Sequence, residues 1–315
     1  MLERDRIRRN REGSIMVVKN FDELISKVKG YPEAKRMVVA AAGEEHTLEA
    51  ALHARKEGIV TPVLVGDKAK IVEILAKLGE SVPEEDIYDV PDVVEAAEKS
   101  VALIREGKGD FLMKGYLDTS VLLKAVVNKE NGLGKGGVMS HFTMFEVPGA
   151  EKILVAVDGG MVTYPTLEQK KAIIENTVGV LRAFGYENPK VGVLACVEKI
   201  NPKMPETVEA DALKQMNLNG EIKGCVVEGP ISYDCAMSKE VAELKGFKSE
   251  VAGDADVLVA PNIHAGNIMG KMLTITVKAR MAGFIVGAKC PIVLTSRGSS
   301  ADEKYMSIVV SAAAV

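Results

Sequence analysis

Residues 36–43, RMVVAAAG, lead through TLEAALHARKEG (47–58) into PVLVGD (62–67) and KAKIVEILAKLG (68–79). The first and third stretches are short, near-continuous apolar runs, the pattern of strands buried on both faces. The second and fourth place apolar residues at helical spacing, and each closes on a glycine. Strand, helix, strand, helix in that order specifies a parallel sheet flanked by helices. DFLMKG (110–115) and TSVLLKAVV (119–127) repeat the unit.

The rhythm breaks at NKENGLGKGG (128–137). VMSHFTMFEVPG (138–149) and EKILVAVDGG (151–160) then predict two strands joined through a Pro-Gly turn. Alternation resumes with helix 166–185, strand 190–197, helix 205–220, strand 222–230 and strand 255–262. GNIMGKMLTITVKARMAG (266–283) predicts one long helix, followed by strand PIVLTSRG (291–298) and a helix from Ala301 to the end. The fold class is therefore α/β, in two α/β domains with mostly parallel sheets. The last strand and helix fit either half by pattern. The division adopted is 16–131 plus 286–315 for the first domain, 132–285 for the second, and 1–15 as an N-terminal extension.

The 315 residues carry 40 Lys+Arg against 44 Asp+Glu, a formal charge of −4, which leaves no basic excess to hold nucleic acid. Trp is absent and aromatics are 4%, so stacking surfaces for bases or sugars are scarce. No apolar run approaches the ~18 residues of a membrane span. The N-terminal MLERDRIRRNREGSI has no apolar stretch behind its arginines and is not a secretory signal. Cys196, Cys225, Cys235 and Cys290 form no C-x-x-C pair, which fits reduced thiols and a cytoplasmic location.

GLGKGG (132–137) matches G-x-G-x-x-G, but it follows a helical pattern and precedes a strand, the reverse of a dinucleotide fingerprint. Neither a P-loop nor a G-x-S-x-G elbow occurs. His141 lies in a predicted strand and reads as structural, and Cys225 and Cys235 read as core.

Three loops at the carboxyl ends of predicted strands carry the candidate chemistry. In KGYLDTSVLLK (114–124), Thr119 or Ser120 can cap a helix whose N-terminus, with Lys114 and Lys124, suits an anion. In APNIHAGNIMGK (260–271), Asn262, Gly266 and Asn267 bring side-chain amides and backbone N–H groups to a helix start. In TSRGSSADEK (295–304), Arg297 ends an apolar strand, where a charge is costly without a partner, and its fork suits phosphate. Ser300 and Glu303 also fit a capping box.

These stretches, with INPKMPETVEADALKQMNLNGEIKGCVVEGP (200–230), VAGDADVLVAPNIHAGNIMGK (251–271) and GAKCPIVLTSRGSSADEKYMSIVVSAA (287–313), resemble the phosphate acetyl/butyryltransferase family, its butyryl branch above all. VVAAAGEEHTLEAALHARKEGI (38–59) extends the resemblance into the first half. It implies a fold like the isocitrate and isopropylmalate dehydrogenases, with an interdomain cleft, a homodimer, and transfer of an acyl group between CoA and inorganic phosphate. Acyl-CoA, CoA, phosphate and acyl phosphate are then substrates, with no prosthetic group and no metal. Carried over, Arg297 contacts phosphate, Ser296 assists the carbonyl, and an acid deprotonates the CoA thiol. The acetyl branch places that acid at Glu303 and the butyryl branch at Asp302. A Ser300 capping box would turn Glu303 back toward the backbone, which favours Asp302. Lys124 stands where the acetyl branch has a second anion-binding arginine, and Ser299 replaces a cysteine. Without a Cys–His pair, direct attack in a ternary complex is expected over an acyl-enzyme.

Two other classes compete. An NAD-dependent decarboxylating dehydrogenase of related fold needs an acidic metal cluster and a nicotinamide site, and the sequence offers neither. A non-catalytic acyl-CoA binder would release no thiol.

Overall fold

A computed structural model describes residues 18–296 and 298–315; the N-terminal extension, and Met16 and Val17 with it, lie outside the described residues. The elements run α1 (Phe21–Lys29), β1 (Lys35–Ala40), α2 (Glu45–Lys56), β2 (Val60–Gly66), α3 (Lys68–Lys77), β3 (Ile87–Asp89), α4 (Val93–Arg105), β4 (Phe111–Lys114) and α5 (Thr119–Val126). Then come β5 (Ser140–Glu146), β6 (Leu154–Val157), α6 (Leu167–Ala183), β7 (Lys190–Leu194), α7 (Pro205–Leu218), β8 (Val226–Ile231), α8 (Tyr233–Met237) and α9 (Lys239–Leu244). The chain ends with β9 (Val257–Val259), α10 (Ile263–Lys271), β10 (Arg280–Val286), β11 (Ile292–Val293) and α11 (Ala301–Ala313).

The described strands form one sheet of eleven in the order β3-β2-β1-β4-β11-β10-β5-β6-β9-β7-β8. Two sheets were expected; one sheet crosses the expected boundary. Its outer parts are parallel, and β11, β10, β5 and β6 join them through three antiparallel pairings. The β5–β6 hairpin is the one predicted, with Thr143 opposite Ala156. Strand alternation feeds three hydrophobic clusters among the described residues, two of them flanking β1 and β4. On one face Met37, Val39, Phe111 and Met113 pack with Phe21, Leu48 and Met306; on the other Val38 and Leu112 pack with Ala97, Val101 and Leu122. Helix α11 is buried from Lys304 to Ala313 and runs through the first core.

The predicted helix 266–283 is corrected. It ends at Lys271, continues as a single π-helical turn over Met272–Thr276, and gives way to β10. Thr274, Ile275, Thr276 and Val277 are β-branched and stiff at χ1, which lowers helix propensity. Lys278, at φ 62°, then turns the chain into a strand paired with β5 along its whole length. Helices α1 and α4 and strand β3 go beyond the sequence pattern. Of the GLGKGG loop, Gly134 bridges Ala288 and so ties the loop to the β10–β11 connection.

Candidate active site

Strand β11 lasts two residues, after which Leu294, Thr295 and Ser296 leave the sheet. Three cavities meet on that exit, and Thr295 and Ser296 line all of them. The first, about 460 Å³, is bounded by His141, Thr143 and Phe145 of β5 and by Met281 and Gly283 of β10. Gly159 and Gly160 after β6, Gly266, Asn267 and Lys271 of α10, and Ser299 and Glu303 complete its wall. The second, about 530 Å³, lies between Lys114, Asp118 and Thr119 on one side and His141 and Gly160 on the other. The third is water-sized, about 10 Å³, among Glu44, Lys114, Tyr116 and Lys304.

The start of α11 distributes three consecutive charged residues to three environments, as a helical step of about 100° requires. Asp302 faces the surface with its side chain 60% exposed, and its carboxylate is 3.7 Å from Arg280 Nε. It lines none of the three cavities, so the preference for Asp302 over Glu303 is not matched by its position. Glu303 lines the first cavity. Lys304 is buried and donates from Nζ to Glu44 at 2.8 Å and to Thr47 at 3.2 Å.

The capping expectation is half met. Ser300 is the N-cap and its Oγ accepts from Glu303 N at 3.1 Å. The Glu303 carboxylate, however, takes a bond from Ser299 Oγ at 2.6 Å and stays at the cavity wall. Burial raises its pKa above the usual carboxylate range, while the Ser299 hydroxyl and the charges of Lys304 and Lys271 oppose the rise. A raised carboxylate pKa suits a base working near neutrality. Ser296 Oγ accepts from Gly298 N at 3.3 Å. Arg297 itself lies outside the described residues.

Other sequence candidates divide. Lys114, at the end of β4, is buried and donates to the carbonyls of Gly115 (3.4 Å) and Leu117 (3.3 Å) while lining the second and third cavities. Thr119 lines the second, but Asp118, not Thr119 or Ser120, is the N-cap of α5. Lys124 is exposed in the last turn of α5 and lines none of the three. Asn262 caps α10, accepting from Ala265 N at 3.1 Å, and stands outside them too. Gly266 and Asn267 belong to the first cavity. Asn267 Nδ2 donates to Gly159 O at 3.1 Å, and a Cβ on Gly266 would meet Asp158 O at 2.7 Å. Glycine there lets α10 dock against the turn after β6.

That turn is built by Asp158, whose buried carboxylate accepts from the backbone N–H groups of His141, Gly160, Met161 and Val162. His141, Thr143, Asp158 and Lys271 were not singled out as site residues from sequence. Their signal is faint: H-x-T-x-F in β5 puts His141, Thr143 and Phe145 on one strand face. None of the four cysteines lines these cavities. Burial pushes the Cys225 thiol up to about 11 and the Cys290 thiol up to about 12, away from nucleophilic use.

The family model described as phosphate acetyl/butaryl transferase matches residues 86–312. The chain belongs to this family. A phosphate butyryltransferase of Clostridium acetobutylicum is 45% identical over 296 residues, 94% of this chain and 98% of that one. A phosphate acetyltransferase of Thermotoga maritima is 41% identical over 292 residues, 93% of this chain and 98% of that one. Among solved structures, a branched-chain phosphotransacylase from Enterococcus faecalis V583 superposes with a TM-score of 0.77 at 30% identity, covering 88% of this chain and 97% of that one. The family's matched segment contains all three cavities' shared residues, Thr295 and Ser296. No helix of the described residues is long and apolar enough to cross a membrane.

Proposed function

We propose that this family member moves a short-chain acyl group between CoA and inorganic phosphate, with Glu303 as the base. The observation that carries the proposal is a half-buried carboxylate, raised in pKa and held by Ser299, on the wall of a cavity shared with Ser296. Glu303 takes the proton of the CoA thiol, which at an ordinary pKa of ~8.5 is mostly protonated at neutral pH. The thiolate forms a C–S bond to the acyl carbon of the acyl phosphate as the C–O bond to phosphate breaks. The departing phosphate then accepts the proton from Glu303, and the reverse reaction retraces these steps. Arg297 and Lys114 supply positive charge for phosphate, Ser296 a hydroxyl for the carbonyl, and Thr119, Gly266 and Asn267 line the approach. Lys124 and Asn262 remain outer contacts for CoA. The apolar wall of Phe145, Ala156, Val157 and Met281 suits a short alkyl chain.

The same reading takes 16–131 with 286–315, and 132–285, as two lobes about the cavity, arranged like the isocitrate and isopropylmalate dehydrogenases. The protein then works as a cytoplasmic homodimer. Within the sheet, β10 and β11 share one residue pair, Ile285 with Ile292, at this boundary. The test is release of free thiol from butyryl-CoA in the presence of phosphate. Thiol release carries the proposal. Binding without release would leave a CoA-binding protein, and reduction of a nicotinamide by hydroxy-acids would point to a dehydrogenase.

A further inference from the structure

We propose that His141 is a catalytic residue whose Nε2–H donates a hydrogen bond to the acyl carbonyl oxygen, with Thr143 fixing the tautomer. The inference rests on the acyl-transfer reading above and adds to it a donor opposite the Ser296 loop. His141 lines the two larger cavities, as do Gly160, Leu294, Thr295 and Ser296. It therefore stands on the partition between the space bounded by Glu303 and the space bounded by Lys114. That is where an acyl carbon passing between sulfur and phosphate has to sit.

The imidazole is held in a slot. Its main-chain N–H donates to Asp158 Oδ2 at 3.0 Å. A Cβ on Gly160 would come within 2.7 Å of Nδ1, and one on Gly283 within 3.1 Å of Nε2, so two glycines make room for the ring. Nδ1 is 3.2 Å from Thr143 Oγ1. Thr143 is buried, and Nδ1 is the one acceptor in reach of its hydroxyl among the described residues. A buried hydroxyl proton without an acceptor is costly, so Thr143 donates to Nδ1 and the imidazole proton sits on Nε2. Nε2 meets no protein partner among the described residues. Every fully buried side-chain nitrogen and oxygen there has one, so Nε2 is open to the cavity.

Burial lowers the His141 pKa against the opposing charge of Asp158, which keeps the ring neutral. A neutral imidazole is a donor that holds its place as negative charge develops on the carbonyl oxygen and does not protonate the attacking thiolate. The hydrogen bond strengthens in the transition state, so its loss falls on kcat.

Thiol release from butyryl-CoA with phosphate is measured for the wild type, His141→Ala, His141→Gln and the pair Thr143→Ser and Thr143→Val. His141→Ala is expected to lower kcat by ~10²–10³-fold with little change in the phosphate KM. His141→Gln, which returns an amide donor near the Nε2 position, should recover roughly tenfold of that loss. Thr143→Ser should stay near wild type while Thr143→Val loses turnover. An inactive wild type would remove the acyl-transfer reading. With an active wild type, the donor role is overturned if His141→Ala stays within about threefold of wild-type kcat, or if glutamine recovers nothing. Should alanine prevent folding, equal turnover of the two Thr143 variants overturns it instead.

Discussion

Ser299 Oγ donates to Glu303 Oε1 at 2.6 Å, across one turn at the start of α11. The residue that caps the helix, Ser300, takes the backbone N–H of Glu303 and leaves its carboxylate to Ser299. Cap and carboxylate are thus separated within a single residue: the main chain of Glu303 secures the helix, and the side chain faces the cavity. The hydroxyl of Ser299 stabilises the ionised form that a base must have, against the burial that disfavours it.

Ser299→Ala removes that stabilisation while leaving the cap. The Glu303 pKa, already raised by burial, should move further up. A base is active only when deprotonated, so the acidic limb of the kcat/KM profile should shift to higher pH, with the plateau rate reduced far less than the rate at pH 6. The comparison of pH profiles for wild type and Ser299→Ala measures it. An unmoved limb means that Glu303 is not the group whose ionisation controls the rate.

Lys304 has almost no solvent contact and pairs with Glu44, which Thr47 also contacts. Burial works to raise the Glu44 pKa, but the bonds from Lys304 and Thr47 outweigh it and the net shift is downward. Lys304→Met should destabilise by roughly 3 kcal/mol, the low end for breaking a buried pair, because Glu44 keeps partial access to water. The urea midpoint reads this directly. The depressed Glu44 pKa has a further consequence of definite sign. Its contribution is present above the unfolded carboxylate pKa and is lost as pH falls through the folded value. The stability gap between wild type and Lys304→Met should therefore narrow in acid.

Gly266→Ala is a minimal change with a steric penalty. Its Cβ would lie 2.7 Å from Asp158 O and 2.9 Å from Gly159 Cα, both backbone atoms. Relief requires α10 to move off the turn after β6, which carries Asn267 and Lys271 with it. Overpacking of this kind costs typically 1–3 kcal/mol. A lower melting temperature together with a raised KM for CoA is expected. Alanine at Gly179, an exposed position inside α6 where a Cβ meets nothing within 4 Å, is the control: it should leave the KM for CoA unchanged and the melting temperature no lower than wild type.

The parallel framework was legible because near-continuous apolar runs have few alternatives: RMVVAA and FLMK form neighbouring parallel strands, β1 and β4, as their pattern implies. In the 266–283 segment Met269, Met272 and Leu273 continue a helical period, and only pairing with β5 makes RMAGFIV a strand. In TSRGSSADE, residue type alone singled out Ser296 and Glu303, which the fold brings to one cavity wall. Residue type does not decide orientation: Asp302 and Glu303 are both acids at a helix start, and only their surroundings separate them. His141 escaped because a histidine in a strand has no sequence signature until Gly160, from the turn after β6, and Gly283, from β10, form its slot.

The two acids make the sharpest test. Asp302 is largely exposed beside Arg280, a surface pairing worth little, about 0–1 kcal/mol. Asp302→Asn should fold and turn over nearly as wild type. Glu303→Gln keeps the size and can still accept from Ser299, but it cannot take a proton, so turnover should fall by roughly 10²–10⁴. Its stability should move the other way. A carboxylate with a raised folded pKa binds its proton more tightly in the native state, so its ionisation at neutral pH opposes folding. Glutamine removes that opposition, and Glu303→Gln should melt at or above the wild-type temperature at pH 7.5, with the advantage fading at acidic pH. Inactivity without instability is what a half-buried base predicts, since a merely structural carboxylate would lose stability on neutralisation. If Asp302→Asn is the inactive variant and Glu303→Gln turns over normally, the base lies on the surface side of the helix and the cavity has been assigned the wrong acid.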